Sequence, residues 1–422
     1  MTKRKPAQNI QKKALWSKPK KEYQGVKKEK KKKTPRKNTK KLAKILLFIF
    51  IIVFVLYLVF SAVNILTTKT IDETANATYK NYLLAKKSGD MQSTLVVMES
   101  GEGTNRRIEN AYLFLNNQSK GYSLLVYIPN NLYFDDVEET FGNSIPISAL
   151  RYAGDYVQNG KGIEYSLWQI NQLLGIRYQN YIWFSSEAMD TWQDIYGEIM
   201  DVSSDTKALY VNDTDDGISN ELYRLHAMSQ KYSKLKTLLK SAEVNNLSEH
   251  IYSNMSFFSI VNFIENYKNI VANSKTYVFD LSSTEYVEEK KNGVGDMIFV
   301  LDNAKFDDVF RSFYSKVIDT EIEKENVRVE IFNGSGISGA AYKFGRKVVN
   351  SGCYVLRYGN APEDIEKTTI YVPNMEEYKN SYKVVSELLY GDFELKEGRP
   401  NFLSTGDIVV ILGEDINYMF EF

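Results

Sequence analysis

The sequence of 422 residues has little cysteine and little histidine: one cysteine, Cys353, and two histidines, His226 and His250. A single cysteine cannot form an internal disulfide, so an exported chain of this kind relies on its hydrophobic core, a metal or partners for stability. The cysteine and the two histidines are also too few for a structural zinc site, which takes four ligands of these types. Neither an internal disulfide nor a structural zinc site is therefore expected here.

Net charge is absent as well, because 53 Lys and Arg balance 53 Asp and Glu. This balance hides an asymmetry: residues 3–44 contain 19 Lys or Arg and only two acids, Glu22 and Glu29. Subtracting these from the totals leaves 34 basic and 51 acidic residues for the rest of the chain. An acidic body argues against nucleic acid as its partner.

One stretch, residues 45–63, contains no charged residue and has the sequence ILLFIFIIVFVLYLVFSAV. At ~1.5 Å per residue it can cross a hydrocarbon core of ~30 Å. The excess of Lys and Arg before it predicts a cytoplasmic N-terminus and an extracytoplasmic location from Asn64 onward. A cleaved signal peptide is the competing interpretation, but the basic and apolar regions are both too long and Ser61-Ala62-Val63 is a poor cleavage site. We predict a single-pass membrane protein with membrane lipid as a partner.

The chain divides into segments of different composition. Residues 1–41 are Lys-rich without apolar periodicity, which predicts a disordered cytoplasmic tail that attracts anionic lipid. A nucleic-acid arm is the alternative for this tail. A transmembrane helix at 42–66 and an extracytoplasmic stalk at 67–92 follow. About 355 residues remain after the helix, which is too many for one compact core and predicts two domains.

The first domain, residues 93–318, mixes strand and helix patterns. Two β-like runs, 108–115 and 122–128, flank the turn sequence NNQSKG and predict a hairpin. Helices are predicted at the positions 147–159, 163–174, 186–196, 220–239 and 244–273. This mixture predicts an α/β fold with a mixed sheet. A charged linker at 319–326 separates it from a small C-terminal α/β domain at 327–416.

The order of these patterns resembles the catalytic domain of the LytR-CpsA-Psr family. The similarity lies in the NNQSKG turn, the strand YSLLVYIP, the helix ISALRYAGD and the segment LWQINQLLGIRYQNYIWFSSEAMDTWQDIYG. The resemblance implies a membrane-anchored bacterial cell-envelope enzyme that moves a glycopolymer from a polyprenyl-pyrophosphate lipid onto peptidoglycan. It also implies Mg2+ and a cluster of Arg and Asp, since fixed cations stabilise the charge that develops on a pyrophosphate.

The sequence departs from the family at its charged motifs. Arg-x-Asp appears as Arg107-Ile108-Glu109, Ile-Pro-Arg-Asp appears as IPNN at 128–131, and Lys-Ile-Asn appears as PIS at 146–148. These losses are expected to cost several kcal/mol of transition-state stabilisation. The later Arg-rich segment is matched best by Arg224.

The resemblance therefore implies Arg107, Glu109 and Arg224 as catalytic candidates in a degenerate site, without a metal ligand that we can assign. Arg151 is a candidate for binding, and Arg177 is a further cation of the matched region. Each has an ordinary alternative: charges two apart on a strand usually form a solvated face. Arg224 lies in a predicted amphipathic helix, where we also expect His226 at the surface or in a cap.

The C-terminal domain begins with a strand, VRVEIF, a glycine-rich turn and a helix. Gly334, Gly336 and Gly339 spell GxGxxG, and amides at such a helix N-terminus can hold an anion. A dinucleotide is not expected, because the next strand carries Arg357 in place of the acid that binds a ribose. The alternative is that the glycines only give the turn its backbone angles.

Residues 327–415 resemble the small C-terminal domain that often follows the LytR-CpsA-Psr domain, with the opening VEIFNGSGISGAA and the terminal strand VVILGED. The resemblance implies a domain that binds envelope polymers or partner proteins. Two functions follow for the whole chain: a degenerate protein that binds or scaffolds envelope glycopolymer, or an active magnesium-dependent phosphotransferase. A transcriptional attenuator has little support, since no DNA-binding fold is recognisable. Convergence of Arg107, Glu109, Arg151 and Arg224 in one cleft would favour catalysis.

Overall fold

The computed structural model describes residues 37–77, 82–83, 89–134, 141–212, 219–389 and 392–419. Most of the predicted tail, residues 1–36, lies outside the described residues. The chain divides into two compact units, Met1–Leu56 and Tyr57–Phe422.

Helix α1, Lys37–Thr67, contains the predicted transmembrane stretch. In the described part of the chain it is the one helix long and apolar enough to span a membrane, over Lys40–Thr67. Its large apolar side chains between residues 42 and 56 are all exposed, as expected for a helix surrounded by lipid. The helix is therefore a candidate membrane anchor.

The last turns of α1 belong to the second unit. Tyr57 donates a hydrogen bond to the Leu239 carbonyl at 2.8 Å, and Asn64 Nδ2 donates to Asn245 Oδ1 at 2.9 Å. Ile65 is buried. The residues of α1 from Tyr57 onward thus pack within the second unit.

The described residues of the predicted stalk also pack on the body. Ile71 forms a β-bridge with Tyr252, and Leu83 forms one with Tyr178. Tyr82 is fully buried. Contacts of this kind hold the described part of the segment against the main sheet.

The main sheet has seven strands in the order β7-β9-β3-β2-β1-β6-β8. A smaller sheet has the order β10-β11-β4-β5. The strands of these two sheets are β1 Met91–Ser100, β2 Arg107–Asn117, β3 Tyr122–Pro129, β4 Leu132–Phe134, β5 Ile145–Pro146, β6 Asn180–Phe184, β7 Tyr210–Asn212, β8 Ile251–Ser253, β9 Lys275–Asp280, β10 Val287–Lys291 and β11 Met297–Leu301.

The predicted hairpin is confirmed: β2 and β3 pair antiparallel from Asn110 opposite Pro129 to Asn117 opposite Tyr122. Gly121 adopts a φ of +72°, which a side chain disfavours, and Asn117 Oδ1 accepts a bond from the Lys120 amide. The sheet is mixed, because β1 pairs antiparallel with β2 and parallel with β6. The predicted α/β class is confirmed.

Side chains alternate between the two faces of the main sheet and form two cores. Leu95 and Val97 of β1 lie in core 1, whereas Val96 and Met98 lie in core 2. Nine helices follow α1 in this part of the described chain: α2 Leu150–Val157, α3 Gly162–Leu174, α4 Ser186–Tyr196, α5 Ser204–Lys207, α6 Arg224–Lys231, α7 Lys234–Leu239, α8 Ser241–Glu249, α9 Phe257–Asn273 and α10 Asn303–Val317. Helices α2, α3 and α10 contribute to core 1, and α4, α6, α8 and α9 contribute to core 2.

Two predicted helices were wrong in extent. The helix predicted at 220–239 is a 3-10 turn followed by α6 and α7, because Ser233 interrupts it and caps α7 by accepting a bond from the Lys236 amide. The helix predicted at 244–273 is split by β8, the edge strand of the main sheet, whose backbone pairs with β6. Ser256 then caps α9. Pairing with a distant strand outweighs local helical periodicity here.

The C-terminal part contains a five-stranded sheet in the order β13-β12-β16-β14-β15. Its strands are β12 Arg328–Asn333, β13 Tyr354–Asn360, β14 Thr369–Val372, β15 Glu394–Glu397 and β16 Ile408–Leu412, and its helices are α12 Ala340–Val349 and α13 Lys379–Leu389. The predicted strand, turn and helix order at its start is confirmed. The segment predicted as a linker, 319–326, folds as a short helix, α11 Thr320–Glu325, with Ile322 buried.

A buried polar contact joins α12 to the first domain. Arg346 Nη2 donates to Asp307 Oδ1 at 2.9 Å and to the Leu173 carbonyl at 3.3 Å. Asn350 Nδ2 donates to the Leu174 carbonyl at 3.2 Å. Core 1 also continues into the C-terminal sheet. The two domains therefore share one apolar core and a buried ion pair.

Replacing Arg346 by alanine should destabilise the protein by about 3–5 kcal/mol, because Asp307 would remain buried without its guanidinium partner. The double variant Arg346→Met/Asp307→Leu should recover most of this loss, since apolar groups replace both charges. Urea unfolding of residues 57–422 measures both. A double variant as unstable as Arg346→Ala would contradict this account of the junction.

Candidate functional site

A β-bulge places the first two predicted site residues. Met98 of β1 pairs with Asn110, but Glu99 pairs with Ile108, so Glu109 is skipped in the described ladder. Bulges of this kind redirect side chains and occur next to functional sites. Glu109 Oε2 accepts a bond from Ser100 Oγ at 2.7 Å and lies 3.3 Å from Arg107 Nε.

Arg107 and Glu109 thus form an ion pair with each other. The Arg107 side chain is 63% exposed and that of Glu109 is 32% exposed. Exposed pairs contribute about 0–1 kcal/mol, because water screens both charges. Because one positive and one negative charge form the pair, it adds no net charge to this end of β2.

The Tyr127 hydroxyl lies on the core 2 face and donates to Asn110 Oδ1 at 3.1 Å. Burial raises the pKa of Tyr127, and the carboxylates of Glu221, Asp280 and Glu109 raise it further, whereas Arg224 opposes them. Glu109 and Arg224 thus both influence the pKa of this hydroxyl, and the groups that do so are called the Tyr127 neighbourhood below.

Arg224 begins helix α6 and lines a cavity of about 80 Å³ together with Asp201 and Glu221. Its Nη1 lies 3.5 Å from Glu221 Oε2, one turn earlier. Tyr112 donates to the Glu221 carbonyl at 2.6 Å and so fixes the backbone of that turn. Arg224 is therefore positioned by its local turn and already faces a carboxylate.

Arg151 lies on the other face of the main sheet. It is on α2, and its Nη1 is 2.5 Å from Glu99 Oε2. Glu99 is two residues after Val97, on the core 1 face, and its side chain is fully buried. The Arg151 guanidinium also lies 5.5 Å from the centre of the Tyr252 ring. The sheet thus separates Arg151 from the Tyr127 neighbourhood.

Burial raises the pKa of Glu99, and the charge of Arg151 and its hydrogen bond oppose this shift. Arg107, Arg151 and Arg224 each have a carboxylate within 4 Å. The partners are Glu109, Glu99 and Glu221, respectively. The summed charge of these six groups is zero. A pyrophosphate site needs a surplus of fixed positive charge, which these pairs do not supply.

The carboxylates near Tyr127 do not fit a magnesium ion. The described residues contain no group of three or more His, Cys, Asp or Glu that could hold a metal. Asp280 Oδ1 accepts the Ser282 amide at 2.9 Å, and its Oδ2 accepts the Ser219 amide at 3.1 Å. Mg2+ requires near-octahedral oxygen ligands, and here the oxygens of Asp280 are used by the loop.

Backbone geometry explains the three glycines of the C-terminal turn. Gly336 and Gly339 have φ values of +73° and +74°, where side chains are strained. A Cβ on Gly334 would lie 3.2 Å from the Leu412 carbonyl oxygen, to which its amide donates at 2.8 Å. Asn333 Oδ1 accepts the Ser335 amide, so the turn uses its own polar groups. The anion-binding role of these glycines stays a prediction.

The prediction of a surface or capping role for His226 was wrong. This residue is 3% exposed, and its Nδ1 lies 2.8 Å from the Tyr210 hydroxyl. Burial lowers its pKa to about 4. The spacing of Leu222, Leu225 and His226, at positions i, i+3 and i+4, was the signal that this side chain faces the core.

Sequence patterns gave no indication that Glu99 and Arg177 are buried. Glu99 ends an apolar strand, where a charge usually marks the return to solvent. The Arg177 side chain is fully buried, its pKa is lowered by burial to about 10, and its Nη1 lies 3.7 Å from Glu387 Oε2. Glu387 belongs to α13, so this contact depends on the packing of the two domains.

Taken together, the fold is that of a protein with one candidate membrane helix, a mixed-sheet α/β domain and a small C-terminal α/β domain. Residues 326–415 match the LytR_C family model, which is described as LytR cell envelope-related transcriptional attenuator. This match confirms the predicted resemblance of residues 327–415 to the small C-terminal domain that often follows the LytR-CpsA-Psr domain. The chain has no match among curated proteins.

Several solved structures are similar to the chain at low identity. B. subtilis TagT is 14% identical, and the match covers 59% of this chain and 99% of that one, with a TM-score of 0.34. A Listeria innocua protein is 14% identical over 54% of this chain and 99% of its own, with a TM-score of 0.34. The LytR-CPS2A-psr family protein YwtF (TagT) with bound octaprenyl pyrophosphate lipid is 13% identical over 59% and 96%, with a TM-score of 0.32. Similarity at this level does not identify what this chain binds.

The Glu99 and Arg151 pair predicts a pH effect on stability. Because burial raises the pKa of Glu99 above its ordinary value of 4.5, the folded state binds more protons in the window above that value. Stability should therefore fall as the pH rises through this window. Arg151→Met removes the charge that opposes the shift, so it should extend the window upward and deepen the loss.

Thermal melting of the Arg151→Met variant between about pH 4.5 and 7, within the range where such a carboxyl titrates, measures this effect. Arg151→Met/Glu99→Gln is the control, because glutamine keeps the shape and cannot ionise. Its melting temperature should vary less with pH than that of Arg151→Met. Parallel curves for the two variants would show that Glu99 does not titrate differently on folding.

Proposed function

We propose that this chain is a membrane-anchored, extracytoplasmic cell-envelope protein of LytR-CpsA-Psr type that binds or scaffolds envelope glycopolymer without transferring it. The observation that carries the proposal is the pairing of Arg107, Arg151 and Arg224 with carboxylates on two faces of one sheet. Such a distribution leaves little fixed positive charge to stabilise the polyprenyl phosphate that leaves when a transferase cleaves the pyrophosphate.

The turn after β3 supports the same conclusion. The family's Arg and Asp are replaced there by Asn130 and Asn131, and the Ser148 amide donates to the Asn130 carbonyl at 2.9 Å. The backbone of this turn is thus held by a hydrogen bond although the two charges are absent. This combination suits a domain that still offers a binding surface but has lost its catalytic groups.

Charge distribution supports the proposed topology. The apolar helix follows 19 Lys and Arg within residues 3–44, whereas the rest of the chain is acidic. Positive residues are retained on the cytoplasmic side, which directs the second unit outward. The match of residues 326–415 to a cell-envelope-related family fits this location.

An active magnesium-dependent phosphotransferase is the second candidate, and one observation favours it. Glu109 raises the pKa of the Tyr127 hydroxyl and Arg224 lowers it, although these two residues are far apart in sequence. A lipid pyrophosphate that displaced Glu221 from Arg224 could use this neighbourhood. In that case the polymer would be transferred from the polyprenyl-pyrophosphate carrier to peptidoglycan.

A transfer assay separates the two candidates. The full chain in lipid vesicles is mixed with a polyprenyl-pyrophosphate-linked disaccharide, purified sacculi and Mg2+, and the release of polyprenyl phosphate is measured. We expect no release above that of vesicles alone, because the paired arginines cannot stabilise the leaving group. Sacculi should nevertheless retain the protein.

Arg328→Ala is the matched control, since Arg328 is an exposed arginine that pairs with Asp407 outside the candidate site. Magnesium-dependent release that Arg107→Ala or Arg224→Ala reduces by about tenfold or more, and Arg328→Ala does not, would overturn the proposal in favour of the transferase. Absence of both release and retention would refute both candidates.

A further inference from the structure

An open groove of about 370 Å³ lies at the start of β1 and β6, against helix α9. Twelve residues line the groove, and six of them are Gln92, Thr94, Asn180, Asn262, Phe263 and Asn266. Its volume falls within the ~300–1,000 Å³ of small-molecule sites.

The groove lies on the core 2 face of the main sheet, far from the predicted site residues. Thr94 is five residues before Glu99 on β1, a distance of ~17 Å at ~3.3 Å per residue. Across the ladder, Thr94 pairs with Phe114, which is again five residues from Glu109. The groove is therefore separate from the Tyr127 neighbourhood.

None of the twelve described lining residues carries a charge. Five of them are Asn or Gln, and Met91, Met255, Phe263 and Ile270 add apolar surface. An amide side chain offers both a donor and an acceptor, which is the combination that sugar hydroxyl and acetamido groups require. An aromatic ring edge or face supplies apolar contact for a sugar ring. The composition fits an uncharged saccharide better than an anion.

The amides are available for a ligand. In the part of the chain that the structure describes, the side chains of Gln92, Asn262 and Asn266 make no hydrogen bond. Gln179 differs, because its side chain donates to the Met91 carbonyl at 2.8 Å and holds the groove wall. The free amides project from a helix and a strand, which are rigid supports.

The groove also lies beside the segment that follows α1. Thr70, three residues after the helix ends, donates to the carbonyl of Met255 at 2.5 Å, and Met255 lines the groove. Three residues span at most ~10 Å. A glycan held there would lie close to the last residues of α1, which belong to the second unit.

We propose that this groove binds an uncharged stretch of envelope glycan through Gln92, Asn262 and Asn266, with Phe263 against a sugar ring. The inference rests on the proposed function and assigns it a site. The bound sugars can belong to the peptidoglycan backbone or to a polymer attached to it, which share the same neutral ring chemistry.

Co-sedimentation of the detergent-solubilised full chain with purified sacculi tests the proposal. Untreated sacculi and sacculi stripped of attached polymer by acid form two arms. The assay is run at about 0.5 M salt, where the Debye length of ~4 Å screens the basic tail from anionic polymer. Asn262→Leu/Asn266→Leu removes both amides at nearly constant volume, and we expect it to weaken retention about tenfold.

Asn269→Leu is the matched control, because Asn269 is an exposed residue of the same helix outside the groove. It should bind like the wild type, and equal melting temperatures of the variants show that each is folded. Loss with untreated sacculi alone assigns the glycan to the attached polymer, whereas loss in both arms assigns it to the backbone. Added chitotetraose, a neutral N-acetylhexosamine oligomer, should compete in the second case.

The experiment distinguishes failure of the groove proposal from failure of the proposed function. If the wild type and Asn262→Leu/Asn266→Leu sediment equally, the groove is not the site, while the proposed function stands. If the wild type sediments with neither preparation, the proposed function fails and this inference fails with it.

Discussion

The alternation of side chains across the main sheet is the constraint on which the rest of the structure depends. Neighbouring residues of β1 enter different cores, so Glu99 lies on the core 1 face and pairs with Arg151. The Tyr127 hydroxyl lies on the core 2 face, and Glu109 and Arg224 both influence its pKa. The bulge at Glu109 changes this alternation locally. The site residues predicted from the sequence are thereby divided between the two faces of the main sheet.

Charge pairing follows from this division. A buried guanidinium needs a carboxylate to offset its loss of hydration, and Arg151 obtains one from Glu99. Arg107 and Arg224 obtain theirs from residues two and three positions away. Neutral pairs can stabilise a fold and shape a surface, but they contribute little to a developing negative charge. The uncharged amide groove is consistent with a protein that holds sugar rather than cleaving pyrophosphate.

Local sequence signals predicted much of the fold. The NNQSKG hairpin and the strand, turn and helix that open the C-terminal domain depend on turn residues and periodicity within a few positions. Contacts between distant segments could not be predicted in this way. β8 exists because it pairs with β6, and Arg177 is buried because α13 covers it. The candidate site was predicted by residue type, but its division between two faces required the register of β1 and β2.

The central claim is that the arginines of the candidate site are unavailable to a pyrophosphate. Calorimetric titration of residues 57–422, which lack the basic tail, with inorganic pyrophosphate tests it directly, with and without Mg2+. We predict no saturable binding up to about 1 mM, a concentration that corresponds to ~4 kcal/mol of binding free energy. Stoichiometric binding at lower concentrations that disappears in Arg107→Ala and Arg224→Ala, but persists in Arg328→Ala, would contradict the account.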